Sequence, residues 1–104
     1  MIIEMRTYSL APGTIGKWLA LYETHGLQIH TEILGRLVGY FTSEFGDVNE
    51  IIHLWAYESY EDREHRRAKL TANAEWKSFL DMALPLIRSQ KIRILKGTAF
   101  SPIQ

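Results

Sequence analysis

The residues best equipped for chemistry fall in two short rows. One is Glu4, Arg6 and Tyr8; the other is His53, Trp55 and Tyr57, inside the stretch GDVNEIIHLWAYES at 46–59. Each row has period two, so on a strand its three side chains share one face. An imidazole with an ordinary pKa of about 6.5 can act as a general base, and a carboxylate such as Glu4 beside it would raise that value. With Arg6 and the aromatics, His53 supplies the parts for cofactor-free oxygen chemistry on an aromatic substrate. Such chemistry needs an apolar slot, a base or hydrogen-bond donor for a phenol or enol, and exclusion of water. The same groups can equally line a binding pocket or pack a protein interface without catalysis, and the spacing does not choose between these.

Other chemistries are poorly supplied. The absence of Cys removes disulfides, thiolate metal sites and thiol nucleophiles together, and fits a reducing compartment. His25 and His30 are five apart, about 140° round a helix, and His65 lies in a charge run, so all three are expected to be exposed or locally hydrogen-bonded. No HExxH pattern, nucleophile elbow or glycine-rich phosphate loop occurs, and no metal site is expected. No cofactor is predicted; haem is the alternative, with His53 as the candidate axial ligand.

Twelve basic and twelve acidic residues balance to zero, which argues against nucleic acid and against a polybasic membrane anchor. No apolar run approaches the roughly 18 residues that span a bilayer. Glu4 and Arg6 interrupt the apolar stretch that a secretion signal would need, so a soluble, cytoplasmic protein is expected. At 104 residues the chain is expected to form one domain over 1–104.

The elements that must position these residues follow from periodicity. Residues 2–10 alternate as a strand that Ala11-Pro12-Gly13 ends. Thr14 is placed to cap a helix carrying Ile15, Trp18, Leu19, Tyr22, Gly26, Ile29 and Ile33 at 3–4 spacing, and Gly35 stops it. Residues 37–45 form a second strand, reversing at 45–49 into a third that holds His53. Ser59 with Asp62 caps a short, charged, exposed helix. Asn73 caps another, with Trp76, Phe79, Leu80, Ala83 and Ile87 along its face and Pro85 ending or kinking it. Residues 90–96 close the chain as a strand. The order β-α-β-β-α-β is ferredoxin-like, an α+β protomer with a four-stranded antiparallel sheet.

One face of such a sheet is covered by helices. Apolar helix stripes are expected to seek Ile3, Met5, Ile52, Leu54, Ile92 and Ile94. That leaves Glu4, Arg6, Tyr8, His53, Trp55, Tyr57 and Arg93 looking away, joined by either Tyr40 or Phe41 from the second strand. Each large aromatic buries ~150–250 Å², so three or four make a patch of ~500–900 Å², too large to stay wet on a monomer. A second copy of the chain is the expected cover, and the seven residues are the expected ligand-binding set in a space between sheet and partner.

In order along the chain, Glu4-x-Arg6-x-Tyr8, Pro12-Gly13, Gly39-x-Phe41-x-Ser43, Gly46-x-x-Asn49, His53-Leu54-Trp55-x-Tyr57, Arg63, Glu75-Trp76 and Ser101-Pro102 resemble the NIPSNAP family. The resemblance implies a homodimeric α/β barrel, the fold also used by antibiotic-biosynthesis monooxygenases and some haem-degrading proteins, and it implies no particular reaction. It would match Arg63 to the family's Arg after the strand, turned towards the cavity mouth. The functional expectation is a pocket for a small apolar or aromatic molecule. A cofactor-independent monooxygenase and a non-catalytic structural dimer are the alternatives.

Overall fold

A computed structural model describes residues 1–104. Its strands are β1 (Ile2–Leu10), β2 (Arg36–Thr42), β3 (Glu50–Tyr57) and β4 (Ile87–Leu95), paired antiparallel in the order β2-β3-β1-β4. Between β1 and β2 run α1 (Ile15–Leu21), one π turn (Tyr22–Gly26) and α2 (Leu27–Leu34). Between β3 and β4 run α3 (Tyr60–Ala72), α4 (Ala74–Ala83) and a 3-10 turn over Leu84–Leu86 that contains Pro85. The expected α+β order is therefore present. No helix is long and apolar enough to cross a membrane.

Several boundaries follow their local chemistry. Ser59 Oγ accepts from the Asp62 amide, and Asp62 Oδ2 accepts from the Glu58 amide, so both sides of the α3 start are satisfied. Asn73 Oδ1 accepts from the Trp76 amide and caps α4. Thr14 departs from expectation, because its hydroxyl donates back to the Ala11 carbonyl rather than capping α1. Gly35 ends α2 at φ +90°, with Arg66 Nη1 lying where a Cβ would go, so any side chain there would be both strained and crowded. At 13 residues α3 is longer than its sparse apolar content suggested, and Leu70 is its one buried residue.

The largest correction concerns the faces of the sheet. The row expected to look away from the helices lies beneath them: Glu4, Arg6, His53, Trp55 and Tyr57 are all buried against the helical layer. The reason is what the helices carry inward. Trp18, Tyr22, His30, Trp76 and Phe79 form their buried stripe, and all but Phe79 are aromatics with polar tips, matched to polar aromatics on the sheet. The side left uncovered by helices is the apolar one, with Ile3, Met5, Ile52 and Leu54. Residues 96–104 fold back over one end of it, where Ile103 approaches Ile3 and Leu54.

Two bulges complicate strand parity. Val38 is the extra residue between Leu37 and Gly39, so Leu37 and Tyr40, three apart, both face the helices, while Phe41 faces out and is 53% exposed. That resolves the ambiguity of the second strand in favour of Tyr40. In β4 the register shift beside Leu10 has the same effect on Ile87 and Gln90. Downstream of it Ile92 pairs with Arg6 and Ile94 with Glu4, whereas Arg93 pairs with Met5. Arg93 therefore lies on the outer face, contrary to its expected place beside Glu4 and Arg6. Ile92 and Ile94 share the helix-facing side but lie on an edge strand and stay exposed.

Candidate functional site

The inner face of the sheet and the helices enclose a cavity of about 170 Å³. β1 contributes Arg6 and Tyr8, β2 Tyr40, β3 His53, and β4 Ile87 and Gln90. The helical side contributes Trp18, Tyr22, His30, Arg67, Trp76, Phe79, Leu80 and Leu84. Trp18, Tyr22, Gly26, His30 and Leu34 are the buried positions of the first helical segment, at a strict four-residue step. On a regular α-helix each such step advances about 40° beyond a full turn. The π turn at Tyr22–Gly26 is wider and removes part of that drift, keeping Trp18, Tyr22 and His30 on one wall.

Of the residues expected to bind ligand, Arg6, Tyr8 and His53 line the cavity. Glu4, Trp55 and Tyr57 lie behind it, and Arg93 is on the other face. Glu4 is fully buried and serves as an anchor. Arg63 donates to its Oε2 through Nε at 2.7 Å and Nη2 at 2.6 Å. Its Oε1 lies 3.5 Å from Arg6 Nη1, close enough for charge attraction but outside hydrogen-bonding geometry, which leaves that oxygen without a hydrogen-bond donor. Arg63 thus turns inward as the resemblance implied, though onto Glu4 rather than at the cavity itself. Tyr57 is the other buried residue near this cluster with an unpaired hydroxyl; burial, with Glu4 adding to it, pushes that hydroxyl's pKa up to about 12.

Trp55 fixes the state of His53. Its indole N–H donates to His53 Nδ1 at 2.6 Å, so the neutral ring carries its proton on Nε2. That Nε2–H has no partner, and the ring is 1% exposed, stacked on Tyr40 and edge-on to Tyr8. Burial first, then the charges of Arg6 and Arg67, lower the His53 pKa to about 3. The expectation that Glu4 would raise it is reversed, because burial disfavours the imidazolium, Arg6 and Arg67 repel it, and Glu4 is taken up by Arg63 and Arg6. At neutral pH His53 is a neutral imidazole whose ring lines the cavity, and it is not a base.

Most of the remaining polar groups are already engaged with one another or are donors. Arg6 Nε donates to the Tyr8 hydroxyl at 2.9 Å. Burial works against the Arg6 charge, but Tyr8 and Glu4 outweigh it and hold its pKa above the usual value. Trp18 Nε1–H donates to the Tyr40 oxygen at 2.9 Å, leaving the Tyr40 proton free; burial raises the pKa of that hydroxyl. The Tyr22 hydroxyl and His30 Nδ1 pair at 2.8 Å, and burial, followed by His53, Arg67 and Arg6, holds His30 neutral. Arg67 forms no ion pair with any carboxylate. Burial and the charge of Arg6 lower its pKa.

Haem does not fit this site. The volume is below the ~300–1,000 Å³ of pockets for drug-sized molecules. The only candidate axial nitrogen of His53 carries a proton, and its ring faces are packed by Tyr40 and Tyr8.

Sequence reasoning missed His30, Arg67, Tyr22 and Gln90 as cavity residues and treated Trp18 and Trp76 as plain core. A signal was present: the inward helix stripe is rich in aromatics with N–H or O–H tips, which need polar partners when buried.

Comparison with known proteins agrees with this architecture. The NIPSNAP family model matches residues 3–102. Protein Atu4242 from Agrobacterium tumefaciens is 45% identical with a TM-score of 0.97, and the alignment covers all of both chains. Protein NipSnap from Drosophila melanogaster is 32% identical over 99% of this chain and 37% of its own length, and a NipSnap homologue from Dictyostelium discoideum is 44% identical over 70% of this chain and 32% of its own. The chain thus spans about a third of the length of these two relatives. A putative antibiotic biosynthesis monooxygenase from Nitrosomonas europaea shares the fold, with a TM-score of 0.68 at 14% identity over 93% of this chain and 98% of that one. Family match, identity and near-complete superposition agree: this chain belongs to the NIPSNAP family.

Proposed function

We propose that the chain is a small-molecule-binding protein whose ligand sits between its own sheet and helices, and that its body is a single aromatic or similarly flat apolar group. The observation that supports this most is an aromatic-walled cavity lined by His53, a ring whose buried Nε2–H has no partner within the protein. Buried donors without a partner are rare in finished cores, because each costs about 1–3 kcal/mol. A ligand oxygen would relieve that cost. The fixed tautomer favours binding over cofactor-independent oxygenation, since a ring that already holds its Nε2 proton offers no base to the cavity.

Titration of the protein with benzyl alcohol, followed by tryptophan fluorescence, tests the reading, because Trp18 and Trp76 line the space. A saturable change is expected, and Leu80→Trp, which fills the cavity, should abolish it. An identical response in the filled variant would reject this site.

The sheet's outer face favours a second reading, self-association. Val38, Phe41 and Leu95 are exposed there beside half-buried Met5, Ile52 and Leu54. Four strands of seven to nine residues offer a footprint of about 500 Å², the greater part of the ~800 Å² per partner of a standard interface. A second copy, presenting the same apolar face, is the occupant proposed. The homodimer expected from sequence is kept, but through the opposite face of the sheet. Sedimentation should give a two-chain particle for the native protein and a single chain for Leu54→Asp; a single chain in both would end this reading.

A further inference from the structure

We propose that the ligand of this cavity is an anion, a planar monocarboxylate about the size of benzoate, held by Arg6 and Arg67. The inference rests on the binding reading above and adds the ligand's charge and polar group.

Charge balance is the first argument. Arg6, Arg63 and Arg67 converge on one region with a single buried carboxylate, Glu4. Arg63 takes one oxygen of Glu4 at 2.6 and 2.7 Å, and Arg6 shares the other at 3.5 Å. Arg67 has no carboxylate within ion-pairing distance and feels Glu4 only from farther off, yet it lines the cavity together with Arg6. Two like charges facing a partly enclosed space repel each other in a medium that screens poorly. An anion between them would offset that repulsion and restore pairing.

Hydrogen-bond polarity is the second argument. The groups free to meet a ligand are guanidinium N–H of Arg6 and Arg67 and the Tyr40 O–H, all donors. Among the lining side chains without an internal partner, the Gln90 carbonyl and, in one tautomer, His30 Nε2 can accept, and both are neutral. No ionised acceptor lines the cavity, so a cationic ligand would meet two positive charges and no counter-charge. A carboxylate instead presents two oxygens to a set of donors that matches it.

Size and shape complete the class. Tyr8, Trp18, Tyr22, Tyr40, Trp76 and Phe79 wall the space. Its volume of about 170 Å³ is close to that of a 150 Å³ apolar cavity known to admit benzene, so one ring and a short polar group fill it.

The test is calorimetric titration of the intact protein with benzoate, benzyl alcohol and benzylamine, three probes with one ring and different charge. Benzoate should bind at least about tenfold more tightly than benzyl alcohol, and benzylamine more weakly than either. Arg67→Met should reduce the benzoate-to-alcohol ratio to about twofold or less. Benzyl alcohol binding as tightly as benzoate overturns the anion inference and leaves the cavity reading standing. Binding of no probe overturns both. An unchanged ratio in Arg67→Met, with benzoate still preferred, removes Arg67 from the site and with it the proposal.

Discussion

On the inner face of the sheet, Glu4, Arg6, His53, Trp55 and Tyr57 are buried under helices; on the outer face, Ile3, Met5, Ile52, Leu54 and Phe41 have no helix over them. By residue type alone the polar face would be the wet one. The arrangement is reversed because the helical layer carries partners. Arg63 reaches Glu4, Trp18 reaches Tyr40, and His30 packs between Trp55 and Trp76 while bonding Tyr22. A polar row can be buried at low cost when the layer that covers it completes its hydrogen bonds. The outer face needs only an apolar surface, and a like copy of itself would supply one.

The sharpest way to break this contrast is to delete one charge from each face. Glu4→Ala strands Arg63 and Arg6 without their carboxylate, and removing one member of a buried pair costs about 3–5 kcal/mol. Arg93→Ala on the outer face removes an exposed, unpaired charge and should stay within about 0.5 kcal/mol of the native protein. Urea unfolding of both variants gives the comparison; if Glu4→Ala proves too unstable to purify, Glu4→Gln keeps the shape and loses the charge. Equal, small losses would mean that the inner ion cluster is not what holds α3 to the sheet.

The same contrast explains what the sequence could and could not tell. Period-two alternation located β1 to the residue, and Ser59, Asn73 and Gly35 marked helix ends, because these are local effects. Which side of the sheet meets the helices is not local. It depends on whether Trp18, Tyr22, His30 and Trp76 read as grease or as donors and acceptors, and counting them as grease inverted the sheet. The parity of β2 was hidden by the Val38 bulge, and the placement of Arg93 by a β4 register that no alternation within β4 encodes. Arg6, Tyr8 and His53 were legible as candidates, and they line the cavity, because their types are costly to bury in any setting. Arg67 was not, since in a run of charges at 61–67 nothing in the spacing separates the arginine that turns inward from those that stay in water.

A smaller effect sharpens the comparison without altering the buried ion cluster. His53 is held neutral with a pKa of about 3, by burial and then by Arg6 and Arg67, and His30 is depressed by burial and then by His53. In the unfolded chain both return to an ordinary value of about 6.5. Between the folded and unfolded values the unfolded state binds more protons, so stability rises with pH there and falls as pH drops below about 6.5. Each buried imidazole contributes a slope of up to about 1.4 kcal/mol per pH unit. Urea midpoints measured from about pH 7.5 down to about pH 5, above the ordinary carboxylate range, isolate this histidine effect. His53→Gln should remove about one proton from the slope, and Arg93→Ala should leave the slope as in the native protein, because nothing on the outer face is held in an unfavoured protonation state by burial. A pH-independent midpoint over that interval would mean that His30 and His53 take up protons in the folded protein. The unpartnered Nε2–H of His53 would then belong to a charged ring rather than to a fixed neutral tautomer.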